Sequence, residues 1–175
     1  MTVLAARQQL LLQQLPQARA IHSRNGFDQG RLDELEALAS DFEIRMPLIG
    51  SFSCGKSSLL NALLGEKLLA TAVTPETAVP AELRFGTEHH LSGQRPDGSS
   101  LPLSMADLHD SQLAVLVDGG WVAARLPCPV LATRPQLVLV DLPGWDSGVA
   151  AHERVIDDYA SRSLAYGVVV SVEEG

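Results

Sequence analysis

Apolar residues recur along this chain first at a helical period and then at shorter, strand-like spacings. Between residues 3 and 21, Leu4, Leu11, Leu12, Leu15 and Ile21 stand among Gln, Ala and Arg, which predicts an amphipathic helix interrupted at Pro16. Asn25-Gly26 reads as a turn, and a second helix is expected from about Asp28 to Phe42, with Leu32, Leu35, Leu38 and Phe42 three and four residues apart. From Glu43 the pattern changes. Ile44, Met46, Leu48 and Ile49 predict a short strand ending at Gly50, although Pro47 removes a backbone donor from what should be a central strand. A Gly/Ser loop and an apolar helix from about Lys56 to Leu64 follow, stopped by Gly65. Ala81 to Phe85 reads as a strand, and His89–Leu91 with Ser100–Leu103 as a hairpin around Pro96-Asp97-Gly98. Ser104 to Val117 looks helical, with Ser104 as N-cap and Asp107 at the third helical position. Strands are then expected at Trp121–Leu126 and Leu137–Val140, a helix from about His152 to Ala165, and a last strand at Gly167–Val172.

Strands that alternate with helices, several of them apolar throughout, predict an α/β fold: an open, mostly parallel sheet covered on both faces, in three layers. Residues 1–42 form a helical segment and residues 43–175 the sheet domain. The two leading helices either pack on that domain or serve a separate partner surface.

Composition narrows the function classes. With 175 residues, 46% hydrophobic and 19% charged, the chain suits one packed domain plus a helical appendage. The net charge of −8, with 13 basic against 21 acidic residues, argues against nucleic acid, because phosphate contacts need clustered Lys and Arg. The two cysteines cannot build a disulfide framework or a four-ligand zinc site alone. No run reaches the roughly 18 to 20 apolar residues of a spanning helix, and no signal peptide is visible at the N-terminus. A reduced, cytoplasmic setting is the expectation. The five histidines show no metal-ligand spacing with the cysteines.

The decisive pattern is Gly50-Ser51-Phe52-Ser53-Cys54-Gly55-Lys56-Ser57, which fits G-x-x-x-x-G-K-[ST] at every defined position. Such a loop curls so that successive backbone N–H groups point inward as an anion nest, and the following helix adds its positive N-terminal end. Gly50 through Ser58 therefore become the candidate phosphate contacts. Lys56, expected to be exposed toward the ligand, would neutralise the β- and γ-phosphates, and the Ser57 hydroxyl is placed to ligate Mg²⁺. Asp141-Leu142-Pro143-Gly144 follows the apolar strand at Leu137. An acid at a strand end facing a phosphate loop can hold Mg²⁺ through water, and Gly144 lets a backbone N–H approach the γ-phosphate. This D-x-x-G element shifts the expectation from an ATPase to a GTPase.

GSFSCGKSSLLNALLG (residues 50–65), TPETAVPAELRFG (residues 74–86) and LVLVDLPG (residues 137–144), in that order, resemble the GTPase domain of bacterial dynamin-like proteins over roughly residues 40–175. The resemblance implies a P-loop GTPase fold, GTP hydrolysis with GTP/GDP and Mg²⁺, self-association through the nucleotide face, and coupling to membrane remodelling through regions outside this chain. It implies stalk-proximal character for the first two helices. It also implies that Lys56 and Ser57 are the phosphate-loop lysine and magnesium serine, and that Ser53 contacts phosphate and assists catalysis. Asp141 and Gly144 match the switch II pair. Thr77 matches the switch I threonine that completes the metal shell, with Thr74 as runner-up.

Two features depart from that pattern. Phe52 stands where eukaryotic dynamins carry a water-placing glutamine, and Trp145 follows Gly144 where Ras-like enzymes have theirs. A guanine-reading [NT]-K-x-D motif needs a lysine followed two residues on by Asp, and neither Lys56 nor Lys67 has one. The expectation is thus a truncated G domain lacking its C-terminal part, with doubtful activity and little preference between GTP and ATP. The alternatives are a nucleotide-dependent interaction module without significant turnover, and another P-loop NTPase.

Overall fold

Strands that are apolar on both faces need cover from both sides, and the computed structural model supplies it with a single seven-stranded sheet. It describes residues 3–70, 79–104, 107, 111–117 and 119–172. In chain order these carry α1 (Val3–Arg24), α2 (Gly30–Ser40), β1 (Ile44–Ile49), α3 (Lys56–Leu64), β2 (Ala81–Phe85), β3 (His90–Gln94), β4 (Ser100–Leu103), a 3₁₀ turn (Ser111–Leu116), β5 (Trp121–Leu126), α4 (Pro129–Ala132), β6 (Leu137–Asp141), α5 (Ala150–Arg162) and β7 (Gly167–Val168). The chain divides into two compact units, residues 1–43 and 44–175.

The first unit is the α1–α2 helical hairpin. Helix α1 continues through Pro16 instead of breaking there. A proline inside a helix forfeits one hydrogen bond and crowds the preceding turn; the flanking Leu, Gln, Ala and Arg are strong helix formers that carry the helix past it. Arg19 bridges to Asp33 and Glu36 on α2, both at 2.5 Å. Gly26 takes the left-handed conformation (φ +68°) in the expected turn.

In the second unit the strand order is β4-β3-β5-β2-β6-β1-β7. Pairings β1–β6, β1–β7 and β2–β5 are parallel; β2–β6, β3–β4 and β3–β5 are antiparallel. The α/β class holds, while the sheet is evenly mixed where a mostly parallel one was expected. The reason is the β3–β4 hairpin, which adds antiparallel strands beside β5, and the reversal between β2 and β6. Pro47 is buried in β1 between two partners. Ile44 N–H donates to Gln136 on the β6 side, and Ile49 C=O accepts from Val169 N–H on the β7 side. By alternation the donor that Pro47 lacks points toward β7, whose pairing begins only at Leu48↔Gly167.

The main core of this unit gathers Leu60 and Leu64 of α3, Leu68, Leu83 of β2, Leu126 of β5 and Leu131 of α4. A second cluster joins Val138 and Val140 of β6 to Ile156 and Tyr159 of α5. Helices α3 and α5 thus feed separate cores on β6, as the strand's alternating side chains require. Helix α4 was not anticipated; four residues are too few for a periodic signal, and only Pro129 at its start marks it. The expected helix over 104–117 lies partly outside the described residues. Its described portion is the 3₁₀ turn, preceded by a local bond from Ser104 N–H to Asp107. Strand β7 is two residues long where six were expected, and Val168, Val170 and Val172 are exposed. Among the described residues no helix is long and apolar enough to cross a membrane.

Candidate functional site

Parallel neighbours deliver their C-terminal loops to the same edge of a sheet. Strands β1 and β6 pair from Ile44↔Leu137 to Leu48↔Asp141, so the loop after Ile49 and the segment after Asp141 emerge side by side. The first loop turns through two left-handed residues, Ser53 (φ +61°) and Gly55 (φ +101°), separated by Cys54. Alternation of this kind turns backbone N–H groups toward a common centre. Ser53 holds that conformation despite its side chain, a strain typical of ligand-binding loops. Gly55 then caps α3, and its carbonyl accepts the Leu59 N–H at 2.8 Å.

Lys56 is buried, not exposed as the sequence suggested. Its ammonium donates to Gly50 O at 2.9 Å and Ser51 O at 2.7 Å, and lies 3.8 Å from the half-buried Cys54 Sγ. An ammonium has three donors, so two fix its position against the loop carbonyls, and the third, held only by the weak acceptor Cys54 Sγ, can be given up to a ligand. The lysine is held in place by the loop it serves.

One residue on, Ser57 Oγ donates to Asp141 Oδ2 at 2.6 Å across the gap between α3 and β6. Among the described residues, Asp141 Oδ1 is buried and has no hydrogen-bond partner. Burial pushes the carboxyl up to about 6, with the Ser57 hydroxyl and the Lys56 charge opposing. Gly144 comes so close to the phosphate loop that a Cβ would lie 2.6 Å from the Phe52 N and Cα. Only glycine fits there. Trp145 N–H reaches Gly50 O at 3.4 Å, and Phe52 N–H donates to Asp146 Oδ1 at 2.5 Å. A pocket of about 170 Å³ opens among these groups, lined by Phe52, Ser53, Lys56, Ser57, Asp141 and Gly144 with apolar neighbours.

The structure therefore brings Gly50–Ser58, Asp141 and Gly144 together. Ser58 is exposed on the first turn of α3, and Ser51 contributes its carbonyl. Thr74 and Thr77 lie outside the described residues. Asp146 went unnoticed in the sequence, where nothing but its position two residues after Gly144 hinted at a contact 94 residues back along the chain.

Comparison with known proteins agrees with this geometry. A sequence profile of the dynamin family matches residues 47–112. Dynamin-like protein 2 of Campylobacter jejuni is 34% identical over 121 residues, covering 68% of this chain and 19% of the relative. The bacterial dynamin-like protein of Nostoc punctiforme is 45% identical over 124 residues, covering 62% of this chain and 18% of the relative. A solved structure of an oligomerised bacterial dynamin pair, described as a mechanism for long-range sensing and tethering of membranes, superposes with a TM-score of 0.50 at 27% identity, over 73% of this chain and 21% of that one. The chain thus spans about one fifth of the length of these relatives. Its phosphate loop, its mixed seven-stranded sheet and these likenesses place it in the dynamin superfamily, as a GTPase domain of the bacterial dynamin-like type.

Proposed function

We propose that this domain binds GTP with Mg²⁺ and hydrolyses it to GDP and phosphate. The observation that carries the reading is the placement of a fixed ammonium, Lys56, beside a buried carboxyl whose Oδ1 has no partner among the described residues. A buried acceptor without a donor is costly, and a cation would satisfy it. Ser57 Oγ and Asp141 fit Mg²⁺, a hard ion that takes few protein oxygens and completes its shell with phosphate and water. Among the described residues no cluster of three His, Cys, Asp or Glu side chains occurs, which suits an ion brought by the nucleotide better than a caged one. Held there, Mg²⁺ would offset the negative charge of the phosphates.

The chain's own groups do the rest. The N–H groups around Ser53, Cys54 and Gly55 and the start of α3 hold the phosphates. Lys56 offers its third donor to the oxygens between the β- and γ-phosphates, where negative charge grows as the bond to the leaving diphosphate loosens. Ser53 sits at the rim as a phosphate contact, and Gly144 brings a backbone N–H to the terminal phosphate. Thr77, with Thr74 as the alternative, would supply a further hydroxyl to the metal. Replacing each by Ala should slow turnover far more at Thr77.

In a longer protein we assign to this turnover a coupling to self-association and membrane remodelling, supported by the oligomeric, membrane-tethering dynamin pair that the domain resembles. Single-turnover assays with GTP and ATP test the catalytic reading. Hydrolysis of GTP that Lys56→Ala abolishes supports it. Mg²⁺-dependent binding without turnover would make the domain a nucleotide-dependent interaction module, and faster turnover of ATP would make it another kind of P-loop NTPase.

A further inference from the structure

The segment after Gly144 touches the phosphate loop through three successive residues. Gly144 packs on the Phe52 backbone, the Trp145 N–H reaches Gly50 O, and the Asp146 carboxylate accepts the Phe52 N–H. Phe52 comes early in the loop, before the helix N-terminus over which the inner phosphates lie, and it packs on the glycine that faces the terminal phosphate. Its N–H is therefore a donor at the third-phosphate end, and a side-chain anion already occupies it. A γ-phosphate would bring more negative charge to the same place, and like charges at contact repel. Asp146 is exposed, so its carboxylate can leave for water without being stranded in the interior.

The far end of the segment is anchored. Ser147 N–H returns to Gly144 O at 3.3 Å, and Ser147 Oγ meets His152 Nδ1 at 2.8 Å. His152 is buried in the first turn of α5. Release of Asp146 thus loosens one side of a short turn whose other side is tied to α5.

We propose that Asp146 is the residue by which this site distinguishes triphosphate from diphosphate: its carboxylate pins the segment after Gly144 to the Phe52 N–H, and a γ-phosphate displaces it. The inference rests on the nucleotide-binding reading above. It makes Asp146 a specificity residue that lowers triphosphate affinity in exchange for a conformational response. An asparagine keeps an oxygen that can accept the Phe52 N–H and loses the charge.

The test measures Mg²⁺-dependent binding of GDP and of a non-hydrolysable GTP analogue to the wild-type chain, Asp146→Asn and Asp146→Ala. In parallel, Trp145 fluorescence is followed in a Trp121→Phe background, which leaves it the only tryptophan of the two in the chain. Asp146→Asn should tighten analogue binding about tenfold while moving GDP by less than about twofold. In the wild type the analogue, and not GDP, should shift Trp145 emission. In Asp146→Ala the shift should be present before any nucleotide is added. An unchanged ratio of analogue to GDP affinity in Asp146→Asn, or weaker analogue binding, overturns the role of Asp146 and leaves the nucleotide site standing. Failure of the wild-type chain to bind either nucleotide overturns both.

Discussion

Two carboxyl groups sit on adjacent strands, Glu82 on β2 and Asp141 on β6, where Ala81 faces Asp141 and Glu82 faces Val140. Glu82 is buried and fully engaged: Oε1 accepts from Arg45 at 3.2 Å and Tyr159 at 2.9 Å, and Oε2 from Arg84 at 2.6 Å. Among the described residues Asp141 has one donor, Ser57, and a buried oxygen without any. The first group is finished within the chain. The second is left with unmet coordination at the end of its strand, beside a loop rich in N–H donors. Structural and functional carboxyls differ here in what the fold withholds from them, since burial alone describes both.

Removing the finished carboxyl should have the largest effect. Glu82→Ala removes the acceptor that Arg84 and Tyr159 share and should cost on the order of 3 kcal/mol in chemical denaturation, as breaking a buried, hydrogen-bonded ion pair from one side does. Because Arg45 on β1, Arg84 on β2 and Tyr159 on α5 all meet at Glu82, the loss should be cooperative across those elements. A destabilisation within experimental error of zero would show that the network is ornamental.

Next comes Lys56→Ala, which should weaken triphosphate binding roughly 100-fold, near 3 kcal/mol, by removing a charge-assisted donor. It also removes the ammonium's bonds to Gly50 O and Ser51 O, so a modest loss of thermal stability should accompany it. Calorimetry and thermal melts separate the two effects. Unchanged nucleotide affinity would remove this loop from the site.

Asp141→Asn should act in the opposite direction on stability. Burial raises this carboxyl from 3.8 to about 6, so the native state holds the proton more tightly than the unfolded chain. That contribution is complete below pH 3.8 and is lost as pH rises through about 6. At neutral pH, without nucleotide, the amide should therefore melt several degrees higher than the wild type, and the gap should close as the pH is lowered through that window. A gap that widens toward acid would reverse the sign of the argument.

The smallest effect should be Tyr159→Phe, about 1 kcal/mol of stability for one buried hydrogen bond to Glu82. Burial and the neighbouring Glu82 push the phenol well above its usual range, so this contact should not titrate at ordinary pH. Equal stability of Tyr159→Phe and wild type would mean that the two arginines satisfy Glu82 alone.

Much of this was legible in the residues because local rules acted alone. The phosphate loop, α3 with its Gly65 stop, β2, β5 and the Asp97-Gly98 turn follow from spacing and turn chemistry. What escaped depended on partners distant in sequence. Pro16 reads as a helix breaker and is carried by its neighbours. Whether β2 runs parallel or antiparallel to β6 is decided by where the chain crosses over, which no local pattern records. At the site, the motif named Lys56 and misjudged its burial, because the carbonyls that hold it belong to a loop whose curl is a three-dimensional fact. Glu82, Tyr159 and Asp146 look like ordinary surface choices until β1, β2, α5 and the phosphate loop are brought together.

The most direct measurement is a calorimetric titration of GTP into the wild-type chain and Asp141→Asn at neutral pH, each with and without Mg²⁺. If the partnerless oxygen of Asp141 completes a metal–phosphate site, Mg²⁺ should strengthen GTP binding at least about tenfold in the wild type and leave the asparagine variant unaffected. Equal strengthening in both chains, or none in the wild type, would contradict the assignment of Asp141 as the carboxyl left open for the cation.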